Sequence, residues 1–252
     1  MSAIFALANQ KGGVAKTTTT GILAAGLKKQ GFSVLTIDCD PQGNLSMSVA
    51  AENQDSATMY EVMKGTVSAR EAIQHTPSCD IIPANTILAG IEQELHNVGK
   101  EMTLREKLRD EQTGVAEEYD YILIDCPPSL GMITLNALCA ADGVLIPIQC
   151  EYFALEGVSA LMGTVQKVQK MNRHLAIEGV VLTMLDARTN LGVQVAQEVR
   201  KVFKNKVYQT VIPRNVRLGE APSHGLPISL YDPRSLGAQS YQQLAKEFLA
   251  RE

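Results

Sequence analysis

The sequence predicts an α/β fold, a doubly wound, mainly parallel sheet flanked by helices, built as a single domain over residues 1–252. Three observations predict it. Short apolar runs alternate with longer segments of helical spacing, the pattern of strand–helix–strand units. Two of the runs end in aspartate, Asp38 and Asp125, at the carboxyl ends of strands where open α/β sheets place their ligands. The first run leads through a glycine-containing turn into a helix, which puts backbone N–H groups and a helix N-terminus at the same edge.

In chain order, residues 3–8 (AIFALA) read as a buried strand, 21–29 as a helix with one apolar face and Gly31 as its terminator. Residues 33–38 form a second strand, followed by the turn-rich Asp38-Cys39-Asp40-Pro41-Gln42-Gly43-Asn44. Residues 52–78 read as short helices joined by polar turns, 79–84 as an edge strand, and 87–96 and 104–110 as charged helices. The strand 121–125 runs into Cys126-Pro127-Pro128-Ser129-Leu130-Gly131. A strand at 143–148, a long helix at 155–171, strands at 177–184 and 209–212, and helices at 191–204 and 236–250 complete the alternation. There is no internal repeat, low-complexity tract or linker to divide the chain.

The chain is 45% hydrophobic and 20% charged, an ordinary composition for a globular protein with a large core. No apolar run approaches the ~18 residues of a membrane helix, and the N-terminus lacks a basic n-region, so a cytoplasmic protein that does not engage membrane is expected. Five cysteines show no metal-ligand or redox spacing and read as reduced core residues. The net charge of −4 is unevenly spread: residues 1–162 carry 10 Lys/Arg against 20 Asp/Glu, whereas residues 163–217 carry 10 against 3. A basic third in an acidic chain points to a face for a polyanion.

The chemistry concentrates in Lys11-Gly12-Gly13-Val14-Ala15-Lys16-Thr17-Thr18. Gly12 and Gly13 let the backbone curl around an anion, Lys16 is placed for the β- and γ-phosphates of a nucleotide, and the Thr17 hydroxyl for Mg²⁺. Against the pattern G-x-x-x-x-G-K-[ST], Gln10 and Ala15 stand where glycines are expected. Ala15 is tolerated at a negative φ and costs about 1–2 kcal/mol at a positive one. Asp125, ending an apolar strand, has the Walker B arrangement.

Four segments together resemble the ParA/Soj-type partition ATPases of the ParA/MinD family, P-loop NTPases with a deviant Walker A motif: Lys11 to Thr18, Asp38 to Asn44, Asp125 to Ser129, and Val211-Ile212-Pro213-Arg214-Asn215-Val216-Arg217. Ala15 departs from that family's K-G-G-x-G-K-[ST]. The resemblance implies an ATP-binding loop of Lys11, Gly12, Gly13, Val14, Ala15, Lys16, Thr17 and Thr18, with Lys11 reaching a partner subunit's phosphates. It implies that Asp40 activates the attacking water, that Thr17 and Asp125 hold Mg²⁺ with Asp38 in support, and that Met184, Pro213 and Asn215 border the adenine. It also implies a homodimer when ATP-bound, binding to DNA without sequence preference, association with the nucleoid, and a ParB-like partner that stimulates hydrolysis. For the DNA face, Arg200, Lys201, Lys204 and Arg217 are the candidates. Arg200 and Lys204 are one turn apart on a helix whose apolar positions are Val195, Val199, Val202 and Phe203, so both point outward. Two alternatives are a MinD-like or cargo-positioning ATPase acting on a membrane or protein cargo, and a metabolic ATP-dependent ligase or iron–sulfur reductase. The balanced charge of the last helix disfavours the membrane reading, and the lack of a cysteine pair disfavours a cluster.

Overall fold

The computed structural model describes residues 2–52, 55–95, 99–152 and 154–251, with all their side chains but that of Glu156. Its strands are β1 (Ala3–Leu7), β2 (Val34–Asp38), β3 (Gln74–His75), β4 (Asp80–Ile82), β5 (Tyr121–Asp125), β6 (Gly143–Gln149), β7 (Ala176–Leu185) and β8 (Val207–Pro213). They form one sheet in the order β3-β4-β2-β5-β1-β6-β7-β8. Every neighbouring pair is parallel except β3 with β4. The helices are α1 (Lys16–Lys29), α2 (Asn44–Ser48), α3 (Met59–Lys64), α4 (Ile91–Glu94), α5 (Thr103–Arg109), α6 (Met132–Ala140), α7 (Glu156–Val168), α8 (Asn190–Phe203), α9 (Val216–Glu220), α10 (Ile228–Tyr231) and α11 (Leu236–Leu249).

Side-chain alternation along the strands sorts the core into two halves, one on each face of the sheet. Ile4, Ala6, Leu35, Ile37, Ile122 and Ile124 face one half. Phe5, Leu7, Val34, Tyr121 and Leu123 face the other, with Leu23 and Leu27 of α1 and Tyr241 and Phe248 of α11. Phe248 meets Phe5 edge-on at 5.1 Å between ring centroids, and burying such a ring is worth about 1.5–3 kcal/mol. The same alternation points Asp38 and Asp125 toward the α1 face, level with each other in the β2–β5 register. Their chain neighbours Cys39 and Cys126 turn into the opposite half.

Four sequence expectations are corrected. The first helix begins at Lys16, five residues earlier than apolar periodicity indicates, because Thr17–Thr20 are helical. The strand at 79–84 is not at the edge: β3, a two-residue antiparallel strand within the stretch read as helical, covers it. The helix expected at 87–96 is a 3-10 turn at Thr86–Gly90 followed by the one-turn α4, and His96 lies outside the described residues. Helices α2, α6, α9 and α10 were not anticipated.

The far edge is closed by side chains. Between Val180 and Leu182 β7 advances two residues while β8 advances four, from Val207 to Val211. The bulge leaves adjacent amides out of the ladder. Glu247 of α11 accepts both, from Gln209 N at 2.7 Å and Thr210 N at 2.8 Å. Arg251 donates to the Val207 carbonyl at 3.0 Å.

Candidate active site

Parallel β1, β2 and β5 bring Leu7, Asp38 and Asp125 into one row at their carboxyl ends. The loop leaving β1 is fixed from beneath. Asn9, buried, donates through Nδ2 to the Pro147 carbonyl at 2.8 Å and accepts the Lys11 N–H at 3.0 Å. Thr183 of β7 donates to the Val14 carbonyl at 3.0 Å. Gly13 takes φ +71°, which glycine adopts without a Cβ clash. Ala15, at φ 67° and ψ 34°, also sits in the left-handed region and caps α1 without a side-chain hydrogen bond. Its substitution for glycine therefore carries the strained alternative.

Above this loop lies a cavity of about 930 Å³. It is lined by Gly12, Gly13, Ala15, Lys16, Thr17 and Thr18, by Asp40 to Gln42 after β2, by Pro127 to Ser129 after β5, and by Met184 at the end of β7. Sequence reasoning missed its remaining walls: Ile22 of α1, Met47 to Val49, and the Leu218–Ile228 region of α9 and α10. Ile22 and Met47 to Val49 carry no motif, and Leu218 to Gly225, which continue the family-like segment 211–217, were given no site role. Met184 is held at φ 53°. Pro213 and Asn215 are not among the lining residues: Pro213 ends β8 beside Leu185, and Asn215 caps α9 by accepting the Arg217 N–H at 3.0 Å. Lys11, Val14, Asp38 and Asp125 are not among the lining residues either.

The floor is a buried charge cluster. Asp38 Oδ2 accepts from Ser46 N at 2.9 Å and Ser46 Oγ at 2.7 Å, and its Oδ1 accepts from Asp40 N at 3.1 Å. Both oxygens of Asp38 are thus engaged by the protein. Asp125 differs: Thr20 Oγ1 donates to Oδ1 at 3.3 Å, and Oδ2 is buried without a hydrogen-bond partner. Burial, then the neighbouring Asp38 charge, pushes the Asp125 carboxyl up to about 8, opposed by the Thr17 hydroxyl and Lys16. Burial likewise raises Asp38 to about 6 against its Ser46 and Asp40 hydrogen bonds. Lys16 is 7% exposed, and burial lowers its pKa, with Asp125 foremost among the groups opposing the shift. A buried acid oxygen with no donor, beside a threonine hydroxyl, is a place that a cation would complete. Among the described residues no group of three or more His, Cys, Asp and Glu could hold a metal alone. Mg²⁺ binds one or two protein oxygens and fills its shell with water and phosphate, and the Asp125 oxygen and Thr17 hydroxyl are of that kind.

The basic residues are not brought together. Helices α7 and α8 run back against the strands, so Lys167, Lys170, Arg200, Lys201 and Lys204 lie toward the amino ends of β7 and β8, away from the cavity. Arg217 follows β8 on the cavity side, and the seven residues of β8 separate the groups by about 20 Å. Lys201 pairs with Glu198 at 2.6 Å, and Arg200 reaches the Gln209 carbonyl at 3.5 Å. Lys204 is exposed at φ 49°. Arg217 pairs with Glu220 at 2.8 Å and Asp232 at 3.7 Å. On the cavity side stand two arginines that were not among the DNA-face candidates: Arg188, 89% exposed and paired with Asp186, and Arg214, paired with Glu151.

A family model described as an AAA domain matches residues 2–177. The sporulation initiation inhibitor protein Soj of Bacillus subtilis is 54% identical over 255 residues, covering 99% of both chains. The chromosome partitioning protein ParA of Caulobacter vibrioides is 48% identical, covering 99% of this chain and 94% of its own. Among solved structures, a cobyrinic acid a,c-diamide synthase from Mycobacterium smegmatis with bound ATP analogue and magnesium superposes with a TM-score of 0.85 at 35% identity, over 99% of this chain and 95% of that one. Among the described residues no helix is long and apolar enough to cross a membrane. With a P-loop opening α1, aspartates ending β2 and β5, and relatives aligned along nearly its whole length, the chain belongs to the ParA/Soj family of chromosome-partitioning ATPases.

Proposed function

We propose that this protein is an ATP-dependent dimerisation switch that binds DNA non-specifically and partitions it with a ParB-like partner, acting at the nucleoid. The observation that carries the reading is the meeting of Lys16 and Asp40 at one cavity above the glycine-containing loop, with the buried Asp125 oxygen that lacks a hydrogen-bond partner outside its lining. The 54% identity to Soj, against 35% to the diamide synthase, favours partition over a metabolic ligation.

In this reading the loop amides of Gly12 to Thr18 and the α1 N-terminus hold the phosphates, and Lys16, already desolvated, supplies the main positive charge. Thr17 and Asp125 hold Mg²⁺, with Asp38 bracing the loop after β2; the ion neutralises charge that develops on the phosphates. Asp40 orients the attacking water. Lys11 reaches the phosphates of a second subunit, so nucleotide joins two copies. Met184, which lines the cavity, borders the base, while Pro213 and Asn215 stand outside the lining. Phosphoryl transfer needs mainly positioning and charge stabilisation, which this set supplies.

DNA binding follows from doubling phosphate contacts in the dimer, since isolated non-specific contacts give dissociation constants of only ~10⁻⁴–10⁻⁶ M. The test is DNA binding with ATP, ADP and no nucleotide at several salt concentrations. Affinity should require ATP, ignore sequence and fall steeply with salt. The basic residues lie in two groups, so Lys201→Ala/Lys204→Ala and Arg217→Ala are measured separately. Each group that contacts DNA should reduce the salt slope by about one per lost contact. ATP-independent affinity, or an unchanged slope in both variants, would overturn the proposal.

A further inference from the structure

We infer that Asn9 and Gly157 are positioning residues for Lys11, holding the start of the loop in the place from which that lysine acts. The inference rests on the proposed reading of Lys11 as a contact to the second subunit, and it adds the parts of the fold that aim it.

Asn9 is 2% exposed and uses both ends of its amide. Nδ2 donates to Pro147 in β6 and Oδ1 accepts the Lys11 N–H. One side chain therefore ties the loop to the neighbouring strand just before the loop turns away. Gly157 lies in the first turn of α7 and presses against this tie from outside. A Cβ at 157 would sit 2.9 Å from Asn9 Oδ1, 3.1 Å from Lys11 N and 3.2 Å from Lys11 Cβ. All three atoms belong to the Asn9–Lys11 unit. The amide cannot swing aside without losing its bond to Pro147 or to Lys11. Restoring ordinary contact, 3.4 Å or more, displaces the loop by about 0.5 Å, a scale at which positioned groups lose much of their effect.

The displacement is selective. Lys16, Thr17 and Thr18 belong to α1, and the Val14 carbonyl is held separately by Thr183. The phosphate-binding half of the loop keeps its own anchors while the Lys11 half moves. Lys11 Nζ also lies 3.5 Å from the Tyr152 carbonyl, in the segment that leads into α7. The backbone and the ammonium of Lys11 are thus both set by the connection from β6 to α7.

The same helix supplies a control. At Gly163 an added Cβ would meet nothing within 4 Å, so Gly163→Ala makes the same chemical change in the same helix without touching the loop. The experiment compares wild type, Gly157→Ala, Asn9→Ala, Gly163→Ala and Lys11→Ala for ADP affinity and for ATP-dependent dimerisation by light scattering. Circular dichroism melting checks the fold. Gly157→Ala and Asn9→Ala should raise the ATP dimer's dissociation constant about tenfold while ADP affinity stays within about twofold of wild type. Gly163→Ala should match wild type in both. If Lys11→Ala weakens the dimer but Gly157→Ala and Asn9→Ala do not, the positioning role is wrong and the Lys11 reading stands. Equal losses of ADP binding and dimerisation would also overturn it, because the effect would then be general to the loop. An unchanged dimer in Lys11→Ala would overturn both readings.

Discussion

Ala15→Gly should stabilise the protein, although it removes a side chain. Ala15 occupies the left-handed region, where a Cβ crowds the following carbonyl at about 1–2 kcal/mol. Glycine relieves that strain but loses more conformational freedom on folding, about 0.5–1 kcal/mol. The lost burial is small: Ala15 is half-buried and lines the cavity, so only part of the ~0.8 kcal/mol per buried carbon applies. The net gain is about 0.5 kcal/mol, a melting-temperature rise of ~1–2 °C for a chain of this size. Two further substitutions magnify the contrast. Ala15→Val adds a β-branched side chain where such residues are outliers and should lower the melting temperature by several degrees. Gly13→Ala places a Cβ at φ +71° with no atom within 4 Å, so its cost of about 1–2 kcal/mol is backbone strain alone. Calorimetry on nucleotide-free protein measures all three, since bound nucleotide would add its own stabilisation. A lower melting temperature for Ala15→Gly, with Ala15→Val unchanged, would refute the strain at this position.

Other predictions concern the site and the sheet edge. Lys16→Ala should abolish ATP binding in a fluorescent-nucleotide titration, because in the proposed site the buried ammonium is the main charge facing the phosphates; normal affinity would remove the loop from the site. Asp40→Ala should bind ATP and dimerise but not turn over, and phosphate release at the wild-type rate would exclude Asp40 from hydrolysis. Glu247→Ala should destabilise the chain by about 1–2 kcal/mol by orphaning two amides. Burial would raise the Glu247 carboxyl, but hydrogen bonds from Gln209 and Thr210 outweigh it and hold the pKa below 4.5. Its stabilisation is therefore complete above about pH 4.5 and lost as pH falls through the lower folded value. Denaturant titrations of Glu247→Ala should lack that acid limb; an unchanged one would assign it elsewhere.

The strands that build the site were legible because strands buried on both faces read as short apolar runs, and Asp38 and Asp125 interrupt two of them at the end where ligands bind. The loop was legible because two glycines and two lysines stand between a strand and a helix. Ala15's conformation was not, since its φ is set by the curvature of the whole loop and no neighbouring residue encodes it. The two residues of β3 are polar and pair only with β4, too short for any periodicity. The basic residues of 163–217 look like one cluster because they are close in sequence, but β8 lies between Lys204 and Arg217 and carries them to opposite ends. The apolar cavity walls around Leu218 and Ile228 were hidden because α9 and α10 are four or five residues long and leave no helical stripe.

The Glu247 clasp bears on how copies of this chain can meet. An open strand at the margin of a sheet is a template on which another molecule's backbone can polymerise, and such unions are hard to reverse. Here Glu247 and Arg251 occupy amides and a carbonyl at the β8 margin from within the same molecule, and among the described residues the opposite margin is the two-residue β3. The proposed self-association is then left to surfaces made of side chains and ligand, which would come apart when the ligand is consumed. The proposed switch, which would join and part repeatedly, has much of its most adhesive backbone closed off before any partner arrives.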